Sequence, residues 1–112
     1  MTHYLTELYS PRPAWLALDQ PDRQRFFEKI GAGMAALSAI GVEAIAFGEA
    51  EAAVVHAPSH RFFALWRAPD ASAIEALVHG IAASDWHDYF ETVNATGLGV
   101  GINDHLAQLA AL

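Results

Sequence analysis

The chain has no cysteine and only one lysine, and no apolar stretch in it approaches membrane-spanning length. Without thiols, disulfides, thiolate metal centres and a cysteine nucleophile are all excluded. A bilayer-crossing helix needs about 20 consecutive apolar residues, and no such run occurs. Basic residues are scarce: Lys and Arg number 6 against 13 Asp and Glu, for a formal charge of −7. Nucleic-acid binding needs a basic stripe that displaces counterions, so no nucleic-acid partner is expected, and an anionic membrane surface would repel the chain. Met1-Thr2-His3-Tyr4 carries no basic segment followed by an apolar run, so a cytoplasmic location is the expectation.

What is present is apolar. At 112 residues the length suits one domain, residues 1–112, yet the apolar fraction is 54%. That exceeds the usual content of about 45–50%. A domain this small has a limited interior, so the surplus points to a second buried surface, most simply a subunit interface.

The order of elements follows from periodicity and punctuation. His3 to Tyr9 is rich in β-formers and reads as a first strand, stopped by Ser10-Pro11-Arg12-Pro13. A short helical turn is expected around Trp15 and Leu18. A long helix should start at Asp19-Gln20-Pro21, with Phe27, Ile30, Met34 and Leu37 on its inner face and Gly41 as left-handed cap. Val42–Glu49 and Arg61–Arg67 read as the second and third strands. Ser72 and Glu75 fit a capping box for a helix whose inner face is Ile74, Leu77, Val78 and Ile81. After Trp86-His87-Asp88-Tyr89-Phe90, a fourth strand is expected from about Thr92 to Ile102. Asp104 should then cap a closing helix with Leu106, Leu109 and Leu112.

This β-α-β-β-α-β order predicts an α+β, ferredoxin-like sandwich with a short C-terminal helix. A free sheet of this kind should alternate polar and apolar residues on its open face. Here Phe62, Ala64 and Trp66 face one side of the third strand, and Phe63 and Leu65 the other. The second strand sets Val42, Ala44 and Ala46 against Ile45 and Phe47. Two apolar faces predict a homodimer through the open sheet face, closing a dimeric α/β barrel.

The element order, the segment Glu7-Leu8-Tyr9-Ser10-Pro11 before Trp15 and the Trp86–Glu91 block resemble the dimeric α/β-barrel superfamily. Within it the chain is similar to a small group of uncharacterised bacterial members. That superfamily includes cofactor-independent monooxygenases acting on quinol-like aromatics, haem-degrading enzymes, chlorite dismutases, aldoxime and polyketide-modifying enzymes, and members without known activity. The resemblance implies a ligand pocket without choosing its chemistry.

Two constellations qualify as candidate chemistry. Trp86, His87 and Tyr89 crowd one segment, where His87 would serve as general base and the aromatics as pocket wall, or where His87 and Asp88 are simply solvated. His3, Leu5, Glu7 and Tyr9 share one strand face, which suits either a polar cavity under the helices or a solvated rim. A buried Glu7 would have a raised pKa and accept a proton. His87, Glu7 and His3 are therefore the catalytic candidates, with Trp66, Trp86, Tyr89 and Asn94 as ligand-binding candidates.

No metal site is expected. His56 and His60 are four apart, but Pro58 between them denies a shared helix face. No cofactor is assigned. A haem ligand at His79 or His87 is the sharper alternative to a solvated flank. Gly97, Gly99 and Gly101 alternate along the expected fourth strand, so a close-packed helix or a flat ligand should lie on that bare backbone. The functional expectation is a small-molecule-binding protein, either an enzyme acting on an aromatic or polyketide-like compound by proton transfer or cofactor-free oxygen chemistry, or a non-catalytic binding and assembly module.

Overall fold

The first strand, β1 (His3–Pro11), is one of the two inner strands of the sheet and hydrogen-bonds neighbours on both of its sides. The computed structural model describes residues 1–112. After β1 come α1 (Pro13–Leu16), α2 (Gln20–Ala39), β2 (Glu43–Glu49), β3 (Phe62–Ala68), α3 (Ala71–Ala83), α4 (Trp86–Tyr89), β4 (Phe90–Leu98) and α5 (Ile102–Ala110). The sheet order is β2-β3-β1-β4, with every neighbouring pair antiparallel. This is the α+β ferredoxin-like architecture.

Local chemistry sets the boundaries. Asp19 caps α2 by accepting from the Asp22 amide at 2.9 Å, and Pro21 sits in the first turn, where its missing N–H is harmless. Gly41, at φ +92°, reverses the chain after α2 in a conformation that disfavours side chains. Four boundaries differ from the sequence expectation. β1 does not stop at Tyr9 but runs on through Ser10 and Pro11, which pair with Glu91 and Phe90 of the edge strand. Asp70, not Ser72, caps α3: its carboxylate accepts from the Ala73 amide at 2.8 Å and the Ser72 hydroxyl at 3.0 Å. The fourth strand runs over 90–98 instead of 92–102, because Phe90 is already extended and the chain leaves the sheet at Gly99. Gly101 occupies the N-cap position of α5, and Asp104 lies within its first turn.

Register decides which side chains meet. Phe47, Ala64, Glu7 and Asn94 form one row across the four strands. Opposed residues in an antiparallel pair share a face, so all four belong to the helix-covered side. A bulge between Ala44 and Ala46 shifts the phase of β2. Phe47 therefore joins Ala44 on that side, where strict alternation had put them on opposite faces.

The main core is Leu5, Val42, Ala64, Trp66, Ala68, Ala73, Ile74 and Leu77, the inner side of α3 against the sheet centre. A second cluster of Trp15, Phe26 and Phe90 closes one end, with Tyr9, Trp86 and Tyr89 packed around it. Phe26, rather than the expected Phe27, is the buried phenylalanine of α2; Phe27 is half exposed. Phe26 is also the only buried residue of that 20-residue helix. While α3 lies directly on the strands, α2 packs chiefly on α3 and stands off the sheet. Its own small residues, Gly33 and Ala36, then face empty space.

On the other sheet face, Phe63 and Val93 are exposed and Leu8 and Leu65 are only half covered. No helix of the chain is long and apolar enough to cross a membrane.

Candidate functional site

The space beneath α2 is a cavity of about 310 Å³, bounded by α2, the end of α3, Trp86 and the strand residues Glu7, Tyr9, Phe47, Ala64 and Trp66. Volumes from about 300 Å³ upward suit small organic ligands. Its walls are mostly apolar: Ile30, Met34 and Leu37 from α2, Leu77 and Ile81 from α3. Aromatic rings form a second wall. Phe47 meets Trp66 edge-on at 5.0 Å, and Tyr9 meets Trp86 edge-on at 5.2 Å. Trp86 is anchored from outside, its indole N–H donating to the Thr92 hydroxyl at 3.2 Å.

One charged group reaches into this apolar space. Glu7 is 3% exposed and is the only buried polar or charged residue of the chain. The indole N–H of Trp66 donates to Glu7 Oε1 at 2.8 Å. The other oxygen, Oε2, is buried with no partner. A buried acceptor left unpaired costs about 1–3 kcal/mol, so Oε2 is the polar atom of this cavity that a hydrogen-bond donor placed there would satisfy. Burial pushes the Glu7 carboxyl above the usual carboxylate range, and the Trp66 hydrogen bond offsets only part of that rise. Tyr9 is pushed up as well, first by burial and then by the neighbouring Glu7 charge, so its phenol stays neutral. At the mouth, Lys29 of α2 donates to Asp85 at 2.8 Å, an exposed strap between α2 and the α3–α4 corner.

The geometry sorts the sequence candidates. Glu7, Trp66 and Trp86 come together on the cavity. Tyr89 is half-buried behind it, edge-on to Trp15 at 5.6 Å and to Phe26 at 5.0 Å, and does not line the space. His87 points to solvent, and its carbonyl accepts from Arg12 at 2.9 Å. Its exposure follows from α4, whose single turn puts Trp86 and Phe90 inward. His3 is half-buried at the far end of β1, its ring 3.3 Å from the Met1 carbonyl. Asn94 lies in the Glu7 row but is exposed on the edge strand β4 and does not line the cavity. His79 is exposed on α3. Among the glycines, only Gly97 lies within the fourth strand. A methyl group at Gly99 would stand 2.2 Å from the Tyr4 ring, so this chain's own tyrosine occupies that bare backbone.

Sequence reasoning missed Lys29 and the small-residue side of α2. The signal was present in Gly33 and Ala36, which interrupt an otherwise bulky inner face three and six residues on from Ile30. No group of three or more His, Asp or Glu side chains is positioned to hold a metal ion. None of the six histidines lines the cavity, so a haem placed there would find no imidazole ligand.

The chain belongs to a family of unknown function, DUF6616, whose model matches residues 2–112. No curated protein matches it. Among solved structures, a candidate chlorite dismutase superposes with a TM-score of 0.71 at 18% identity, covering 97% of this chain and 48% of that one. A mutant chlorite dismutase from Candidatus Nitrospira defluvii gives 0.68 at 9% identity, over 89% and 40%. The chain thus spans about half the length of these two proteins or less. A dimeric ferredoxin-like protein of unknown function from Thermobifida fusca gives 0.54 at 10% identity, over 88% and 92%. A DABB-family protein with a ferredoxin-like fold from Mesorhizobium loti gives 0.52 at 14%, over 89% and 98%. At such identities the likeness is one of fold.

Proposed function

We propose that this member of the DUF6616 family is a single-domain, cytoplasmic, small-molecule-binding protein that takes an aromatic or polyketide-like compound between α2 and the sheet and exchanges a proton with it through Glu7. The observation that carries this reading is the unpartnered Glu7 Oε2 inside an apolar cavity. A flat ligand would pack against Trp66, Trp86 and Phe47. Its hydroxyl, or a C–H next to a carbonyl, would give its proton to the Oε2 carboxylate, while Trp66 N–H steadies the charge on Oε1. A carboxyl with a raised pKa is suited to such an exchange, because its proton affinity lies closer to neutrality. Homodimerisation through the open sheet face is part of the proposal, supported by exposed Phe63 and Val93 on that face.

The test follows Trp66 and Trp86 fluorescence during titration with naphthol and hydroxyquinone compounds. Saturable quenching is expected, with about a tenfold or greater loss of affinity in Glu7→Gln, the worth of one hydrogen bond to a charged group. Naphthalene, which has no proton to give, should bind both forms alike. No saturable change with any of these compounds would refute the reading and favour a non-catalytic assembly module, the alternative that the exposed apolar sheet face supports.

A further inference from the structure

The C-terminal helix α5 is strongly two-sided, yet it buries nothing in its own protomer. Ile102, Leu106 and Leu109 recur at four and three residues and form one apolar stripe. All three are at least half exposed, as is Leu112 beyond them. Asp104 and Gln108 occupy the opposite side. A nine-residue helix is too short to persist alone in water, so its stability must come from what covers the stripe.

The overall dimensions give the area to be covered. A compact chain of 12.1 kDa should expose about 6,000 Å², whereas this protomer exposes 7450 Å². Its radius of gyration is 15.8 Å, against about 13 Å for a compact domain of this length. The surplus surface, about 1,400 Å², exceeds the roughly 800 Å² that each partner buries in a standard stable interface. Among the exposed large apolar side chains, Phe63 and Val93 lie on the open sheet face and Ile102, Leu106, Leu109 and Leu112 on or just beyond α5.

We infer that α5 is an exchange arm: in the homodimer, the Ile102–Leu106–Leu109 stripe of each protomer is buried against the second copy. This rests on the homodimer proposed above and adds to it the element that locks it. Two copies of a chain carrying a net charge of −7 repel one another, so the contact must draw its stability from apolar area. With no Lys or Arg, α5 offers the partner no cationic contact, and its apolar stripe is what remains. The Gly99-Val100-Gly101 connection carries the chain off the sheet edge into α5, with the Tyr4 ring packed against the bare backbone of Gly99.

Sedimentation velocity across the micromolar range tests this on the full chain. Wild type is expected to be dimeric, with the dissociation constant falling as salt screens the repulsion. Leu106→Glu/Leu109→Glu should weaken the dimer at least a hundredfold, and the milder Leu109→Ala about tenfold. Gln108→Glu, on the opposite side, should change it little. Near-UV circular dichroism of the monomeric variant should keep its aromatic signature, since α5 contributes nothing to either core cluster. A wild-type dimer whose dissociation constant is unmoved by Leu106→Glu/Leu109→Glu and by Leu109→Ala would overturn the arm and leave the sheet-face dimer standing. A monomeric wild type would overturn both.

Discussion

Replacing Glu7 with glutamine should make the protein more stable at neutral and alkaline pH, although the substitution falls in the best-buried part of the sheet. Glutamine keeps an oxygen to accept from Trp66 and matches the shape of the carboxyl, but removes the charge. The sign follows from linkage. Burial raises the folded-state pKa of Glu7 above its unfolded value, so folding favours the protonated acid. The stabilisation is complete below the unfolded pKa and is lost as pH rises through the folded one. Across that window, stability falls by about 1.4 kcal/mol per pH unit for this single proton. Glu7→Gln abolishes that loss. Urea unfolding from pH 3 to 9 should show the variant level with wild type at the acid end and more stable above the window, with a flatter profile. Equal gain or loss at every pH would refute the reasoning, because the effect would then come from packing and not from the buried charge.

Trp66→Phe removes the N–H that faces Glu7, leaving both carboxylate oxygens unpaired; a loss of about 1–3 kcal/mol is expected at neutral pH, shrinking in acid, by denaturant unfolding. Gly33→Leu places a side chain where nothing lies within 4 Å of the new Cβ, inside the cavity wall. It should raise the helix stability of α2 by about 0.5–1 kcal/mol while abolishing aromatic ligand binding in the fluorescence titration. Gly41→Ala combines φ +92° with a Cβ 2.9 Å from Pro69, and should cost at least about 1–2 kcal/mol in a thermal melt.

Much of the fold was legible because it follows from periodicity and punctuation. The four strands, the Asp19 cap and the Gly41 reversal are each written in a few neighbouring residues. The site was legible only in part. Glu7 stood out as an acidic residue on a strand face beside Leu5 and Tyr9, but its pairing with Trp66 joins residues 59 apart and depends on strand register. The bulge that turns Phe47 toward the cavity leaves no mark in the sequence, because Ala44, Ile45 and Ala46 would suit regular alternation equally well. Phe26 and Phe27 are adjacent and both aromatic, so only the angle at which α2 lies decides which is buried. The histidines drew attention for their chemistry, whereas a buried carboxyl with one free oxygen is visible only in three dimensions.

Carbon-13 NMR titration of the Glu7 side-chain carboxyl measures the decisive property directly. The midpoint should lie clearly above that of an ordinary glutamate, about 4.3, and should shift when a naphthol occupies the cavity. A midpoint at or below the ordinary value, unchanged by such a compound, would contradict the account.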